Sequence, residues 1–320
     1  EKSGNKMIKT NRILATFGYI ISFIIFVILV GLSIKFGYNA YIHKANTQHG
    51  ILRYAFLSIL CFTLSALFRG IYFGVEIAVD LTNPNNNTLE KDMYGISEFF
   101  QMFLWHLANA FAYGLFLNRL YYGFINSLHQ VSSWFRLIII GCILLYVSLT
   151  LLVIPAFLFD IPEKSRIHLY STYRIGTQLL DFGITFTLLK MFINKLIHVT
   201  VSLSRVDDME TEVNQQNGIK KNELNENTAL NQRKNMVDVM AKAALLGSIM
   251  CISTQVTRFI GFAAQIVFNV QYNRYKKTFL ETLGNDSVTL ILLIMKIFRS
   301  IDCLISSICI FLYFQFTHHY

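Results

Sequence analysis

The sequence predicts an all-α integral membrane protein, a bundle of seven transmembrane helices. Of its 320 residues, 54% are apolar and only 15% are charged, whereas a soluble domain carries about 25% charged residues. The apolar runs are continuous over about 20 residues or more, which is the length that a helix needs to cross the hydrocarbon core. With only three prolines, the chain has few helix breakers. This composition excludes intrinsic disorder and a small secreted disulfide module.

Seven apolar segments divide the chain. They are Ile13–Ile34, Arg53–Val79, Ile96–Phe124, Trp134–Phe159, His168–Val201, Val237–Val270 and Ser287–Phe316. The first contains no charge, and several others carry isolated charges, such as Arg69 and Glu76 at helical spacing in the second. The chain is accordingly divided into a basic N-terminal segment (1–12), five spans (13–201), a long polar loop (202–235), and two further spans with a short C-terminus (236–320).

Two glycosylation signals indicate the orientation. The sequons that begin at Asn86 and Asn285 lie in the second and sixth loops, which are on the same side of the membrane. Asn-x-Ser/Thr is modified in secreted or lumenal segments, and Lys and Arg are spread over both sides too evenly for the positive-inside rule to decide. We therefore expect a glycoprotein of the plasma membrane or an endomembrane, with its N-terminus outside and its C-terminus in the cytoplasm.

This orientation places the 202–235 loop in the cytoplasm. The loop is rich in Asn and in charges of both signs, and both of its flanks are basic. Basic flanks attract anionic membrane lipids, and they also suit the docking of a cytoplasmic effector, so both partners are expected. The net charge of +9 is spread over both membrane faces, and no nucleic-acid partner is expected.

The sequence contains no recognisable catalytic or metal motif. All five cysteines lie within spans, no two have CxxC spacing, and only His106 lies deep in a span. One histidine cannot supply the three or four ligands of a zinc site, and no nucleophile elbow, Walker loop or His-Glu-x-x-His motif is present. We expect no enzyme activity, no cofactor and no metal.

Polar residues recur on one face of several spans. These stripes are Arg69 and Glu76; Glu98, Gln101, Trp105, Asn109 and Arg119; Arg174, Gln178, Asp181 and Thr185; Thr254, Arg258, Gly261 and Gln265; and Arg299, Asp302 and Ser306. Charge facing lipid is unfavourable, so the stripes should face one another. They would then either hold the bundle together or line a water-accessible pocket.

The balance of these charges favours an anionic ligand. Five interior cations (Arg69, Arg174, Arg258, Lys296, Arg299) stand against three carboxylates (Glu76, Asp181, Asp302). We expect the anion near Arg174, Arg258 and Lys296. The candidate ligand-binding residues are Glu76, Glu98, Trp105, His106, Arg174, Asp181, Arg258, Gln265 and Lys296.

Two short motifs carry a resemblance to a known family. The third span ends in Asn118-Arg119-Leu120-Tyr121, which is similar to the acidic-Arg-Tyr motif of G-protein-coupled receptors. Asp302 resembles the polar residue of their Asn/Asp-Pro-x-x-Tyr motif, although Cys303 stands in place of the proline. The resemblance covers the whole chain in topology and implies a divergent receptor-like protein. It implies signalling roles for Arg119, Tyr121, Arg299 and Asp302, with a G protein as partner.

The leading functional expectation is a receptor that binds a small ligand from outside and signals through its inner loops. A channel or transporter would use the same stripes to line a permeation path. A membrane scaffold would use them only as structural ion pairs.

Overall fold

The computed structural model describes residues 2–42, 49–81, 87–123, 132–152, 172–194, 245–263 and 284–318, and positions 165, 169, 197, 201, 241 and 242. Throughout these ranges the chain is helical, with no strand. The predicted loop at 202–235 lies outside the described residues, as do Asn86 and Gln265.

Seven helices occupy the described ranges, and each overlaps one of the predicted spans. They are α1 (Lys2–Ile42), α2 (His49–Leu81), α3 (Asn87–Gly123), α4 (Ser133–Leu151), α5 (172–194), α6 (Leu245–Ala263) and α7 (Gly284–His318). For the described residues, the prediction of an all-helical fold is confirmed. The helix α1 begins well before the predicted span, because the basic N-terminal segment continues the helix to Lys2.

Four of the described helices contain segments that are long and apolar enough to cross a membrane. These segments are Ile13–Tyr38, Leu52–Val75, Ser133–Leu151 and Leu245–Ala263. A chain with four such helices has the character of a membrane-embedded protein. Apolar side chains also cover the outside of the bundle: Trp134, Leu137 and Leu144 on α4 are all more than half exposed. Such a surface is suited to lipid.

The core lies around α2 and α3. Helix α2 packs along both α1 and α3, α7 contacts α1 and α2, and α4 packs on α3. Large apolar side chains such as Ile59, Phe62 and Leu115 are completely buried there. Helices α1 and α2 approach so closely that a Cβ atom at Gly18 would lie 2.6 Å from ring atoms of Phe73. Small residues at such contacts allow neighbouring membrane helices to pack tightly.

Candidate functional site

A buried ion pair joins α5 to α6. The Nε atom of Arg258 lies 3.0 Å from Oδ2 of Asp181, and the two side chains are 6% and 0% exposed. The residues belong to the two polar stripes predicted on these helices. The stripes of α5 and α6 therefore face each other across the interior.

Neutral donors complete the environment of the Asp181 carboxylate. The hydroxyl of Tyr113 on α3 donates to Oδ1, and the side-chain amide of Gln255 on α6 donates to Oδ2 at 2.7 Å. Thr185, one turn after Asp181, donates to the Tyr113 oxygen at 3.4 Å. A buried carboxylate needs such donors because water no longer solvates it.

The Arg258 guanidinium contacts three further helices. It donates to the Tyr146 hydroxyl oxygen on α4 and to the Thr177 carbonyl on α5, the latter at 3.3 Å. Its Cζ atom lies 4.7 Å from the ring centroid of Trp105 on α3. A planar guanidinium that combines hydrogen bonds with stacking on an aromatic ring fixes the relative positions of the helices that contribute them.

His106 extends this network toward Tyr173. Its Nδ1 atom lies 2.6 Å from the Tyr146 hydroxyl, and its Nε2 atom contacts the Tyr173 hydroxyl. Because arginine only donates, the Tyr146 oxygen accepts from Arg258 and its own proton is directed to Nδ1 of His106. Neutral His106 then carries its proton on Nε2 and donates to Tyr173, a tautomer assigned from the network.

Asp302 on α7 is held by neutral donors. Its carboxylate accepts hydrogen bonds from Trp105 Nε1 at 3.0 Å, Ser253 Oγ at 2.8 Å and Thr254 Oγ1 at 3.2 Å. Within the part of the chain that the structure describes, no cation lies within ion-pair distance of this carboxylate. Trp105 thus bridges α3 to Asp302 through its ring nitrogen and to Arg258 through its ring face.

A cleft bounded by α3, α5, α6 and α7 opens beside this network. Its empty volume is about 450 Å³, including the open mouth. Arg174, Arg258 and Arg299 line it, with Nη1 of Arg174 donating to the Gly261 carbonyl at 3.2 Å. No acidic side chain is among its described lining residues. Aromatic surface comes from the side chains of Trp105, Tyr173 and Phe262. The arrangement can bind an anion with three positive groups while an aromatic surface contacts its apolar part.

The structure places only some of the predicted ligand residues at the cleft. Trp105, His106, Arg174 and Arg258 line the cleft, and Asp181 lies beneath it as the partner of Arg258. Glu98 is half-buried on α3 and is not among the residues that line the cleft. The side chain of Glu76 and the whole of Gln265 lie outside the described residues.

The observed positions of Lys296 and Arg299 are the reverse of those expected from the sequence. Lys296 does not line the cleft; its Nζ atom lies 2.7 Å from the ring centroid of Tyr72 on α2. Arg299, expected in signalling, does line the cleft, and its Cζ atom is 5.7 Å from the Trp105 ring. The reason is helical geometry: Arg299 and Asp302 are on the α7 face toward Trp105, whereas Lys296 is turned toward α2.

Of the remaining predicted signalling and glycosylation residues in this part of the chain, only Tyr121 has a described side-chain contact. The Tyr121 ring lies 4.5 Å from the Arg136 guanidinium of α4. Arg119 lies in the last turns of α3 and Asn285 in the first turn of α7, and the side chains of both are outside the described part.

Three tyrosines of the network were not among the predicted site residues. Tyr113, Tyr146 and Tyr173 each contribute a buried hydroxyl. A signal existed for two of them: Tyr113 lies four residues after Asn109, and Tyr173 lies four before Thr177, so both continue polar stripes. Tyr146 lies in an apolar span, and no stripe marks it.

The chain matches no family model, no curated protein and no solved structure. Inference about function therefore depends on the chemistry of the cleft and the buried network.

Proposed function

We propose that this chain is a receptor-like membrane protein of seven transmembrane helices that binds a small anionic ligand in the cleft between α3, α5, α6 and α7. The supporting observation is that Arg174, Arg258 and Arg299 line one cleft without an acidic side chain among its described lining residues. Ligand binding is then transmitted to the cytoplasmic loops and to a G protein or another effector. The G-protein partner is proposed on the resemblance of Arg119 and Asp302 to receptor motifs.

The charge of the cleft supports an anion over a cation or a neutral ligand. Arg174, Arg258 and Arg299 all line the cleft, and Asp181, the partner of Arg258, is not among the lining residues. Guanidinium groups form paired hydrogen bonds with carboxylates and phosphates. The low dielectric of the surrounding helices strengthens this attraction relative to water.

The position of the cleft supports placing it on the same side of the membrane as the two sequons, which is the proposed outer side. Arg174 is near the first turn of α5, and Phe262 is near the end of α6, so the cleft opens toward the loops that follow α4 and α6. These loops are on the same side as the loop after α2, where the first sequon begins at Asn86. The proposed topology has the N-terminus and the cleft outside and the C-terminus in the cytoplasm.

Dense packing beneath the cleft favours a receptor over a channel. Trp105, Tyr113 and Tyr146 are 3%, 2% and 0% exposed and fill the interior around the Asp181–Arg258 pair. A conducting path would need a continuous water-filled route. A packed network with alternative hydrogen-bond partners is instead suited to two discrete arrangements of the helices, which a ligand can bias.

Binding measurements on the purified full chain test the ligand class. The probes are small carboxylates, phosphates and sulfates, each paired with its neutral amide or ester. We expect anionic members to bind and Arg299→Gln to weaken them about tenfold or more, because a charge-assisted hydrogen bond contributes about 1.5–3 kcal/mol. Arg136→Gln is the control, since this arginine contacts Tyr121 away from the cleft. If only cationic or neutral probes bind, the proposal fails.

The response to a bound anion separates the three classes of protein. A receptor increases nucleotide exchange on added G protein, and Arg119→Ala reduces that exchange. A channel or transporter instead produces anion flux into liposomes. A scaffold produces neither response. Unchanged exchange in Arg119→Ala would remove the proposed role of this arginine.

Glycosylation mapping tests the topology. We expect the full chain, expressed in cells that glycosylate, to carry two N-glycans, with Asn86→Gln and Asn285→Gln each removing one of them. The measurement is the step in gel mobility after enzymatic removal of glycans. Modification of a sequon inserted into the 202–235 loop, with none at the native sites, would reverse the orientation.

A further inference from the structure

Arg69 on α2 is a fully buried cation with neutral partners. Its side chain is 0% exposed. Its Nη1 atom donates to Ser300 Oγ at 3.0 Å and its Nη2 atom to Ser65 Oγ at 3.4 Å, while the Cys303 sulfur lies 3.8–3.9 Å from both. The Nε–H group has no acceptor among the described residues.

No described carboxylate lies within ion-pair distance of Arg69. Arginine keeps its charge in proteins, so it cannot become neutral to relieve burial. An uncompensated buried charge is strongly unfavourable. Arg258, buried to a similar degree, has Asp181 at 3.0 Å. Among the described residues, Arg69 therefore has no negative partner of the kind that Asp181 provides for Arg258.

Gln101 on α3 supplies a second unused donor in the same layer. It is 0% exposed, and neither atom of its side-chain amide has a hydrogen-bond partner among the described residues. Its backbone carbonyl accepts from Ser65 Oγ at 2.9 Å, and that hydroxyl is itself an acceptor for Arg69. Two neighbouring buried side chains therefore have N–H groups without an acceptor.

A groove between α1 and α2 passes beside this layer. Its empty volume is about 680 Å³, and its wall includes Ser22, Ala66 and Gly70. Ser22 Oγ lies 3.1 Å from Ser300 Oγ, so the groove wall is one hydrogen bond from the acceptor of Arg69. A Cβ atom at Gly70, the residue after Arg69, would meet nothing within 4 Å.

From these contacts we propose that a monovalent anion of chloride size binds at Arg69, between α1, α2, α3 and α7. Arg69 supplies the balancing charge and its unused Nε–H group, and the Gln101 amide supplies a further donor. A small, weakly hydrated anion fits because its desolvation is less unfavourable than that of a dianion. The site is separate from the ligand cleft, since Ser300 and Cys303 contact Arg69 whereas Arg299 lines the cleft. Its occupant holds α2 against α3.

Thermal unfolding of the full chain in detergent tests the anion site. At constant ionic strength, chloride is replaced stepwise by gluconate and, in a second series, by bromide. Both series are repeated in Arg299→Gln, in which the cleft binds the gluconate carboxylate more weakly. Because a ligand that binds only the folded state raises its stability, the midpoint should fall by about 3 °C or more in gluconate and be retained in bromide. Arg69→Met should abolish this dependence on the anion.

Matched variants make every outcome decisive. Arg174→Met keeps the chloride dependence if the anion is at Arg69, and loses it if the anion binds in the cleft. Gln101→Leu, which should raise the chloride concentration at half effect, replaces Arg69→Met if that variant does not fold. An Arg299→Gln midpoint that is the same in chloride and gluconate overturns the proposal, as does chloride dependence that persists in Arg69→Met.

Discussion

Asp181→Asn lowers the free energy of unfolding by about 3–5 kcal/mol, because it leaves Arg258 as a buried cation without its carboxylate. The amide has nearly the volume of the acid and can still accept from Tyr113. The loss is therefore mainly electrostatic. It is measured as the shift in thermal or chemical unfolding of the full chain in detergent, relative to wild type.

Two further variants give this prediction its controls. Glu98→Gln removes a carboxylate that is only half-buried on α3, and we expect a change within about 0.5 kcal/mol. The double variant Asp181→Leu, Arg258→Met removes both charges and should be less destabilised than Asp181→Asn, since no unpaired charge remains. A loss below about 1 kcal/mol in Asp181→Asn would show that the ion pair does not hold α5 against α6.

Trp105→Phe has the second largest expected effect on stability. The indole N–H is one of the donors to the buried Asp302 carboxylate, at 3.0 Å. Phenylalanine removes this donor and part of the ring surface that Arg258 and Arg299 contact. A hydrogen bond to a charged group contributes about 1.5–3 kcal/mol, so we expect a loss of at least this size in the free energy of unfolding.

The other tryptophan of the chain provides the matched control. Trp134 at the start of α4 is 76% exposed, whereas Trp105 is 3% exposed. Trp134→Phe should change the free energy of unfolding by less than about 0.5 kcal/mol in the same experiment. If the two variants are equally stable, the Trp105–Asp302 bond contributes little to holding α3 against α7.

The helices and their polar faces could be predicted because they depend on local periodicity. A described helix overlaps each of the seven predicted spans. The stripe containing Arg174 and Asp181 depends only on the 3.6-residue repeat, and both residues face the interior or its cleft. The tyrosine hydroxyls were harder to predict, because Tyr146 becomes a polar site only when Arg258 and His106 from other helices meet it.

The positions of Lys296 and Arg299 show where local pattern loses its power. Both are basic residues of α7, three positions apart. Only one of them lines the cleft, while the other packs on Tyr72. Three residues correspond to about 300° of helical rotation, so the two side chains point only about 60° apart around the helix. A small rotation of α7 about its axis therefore changes which of them faces the cleft. Sequence spacing relates residues on one helix but does not orient that helix relative to the next.

The helical, strongly apolar character of the chain and its few interior charges follow from the amino-acid sequence alone. Composition and periodicity are properties of single segments, so they require no knowledge of the fold. The pairing of Arg258 with Asp181, the contacts of Asp302 with Trp105 and two hydroxyls, and the neutral partners of Arg69 became known only from the packed helices. Those pairings depend on the rotation and depth of each helix within the bundle, which packing against its neighbours establishes.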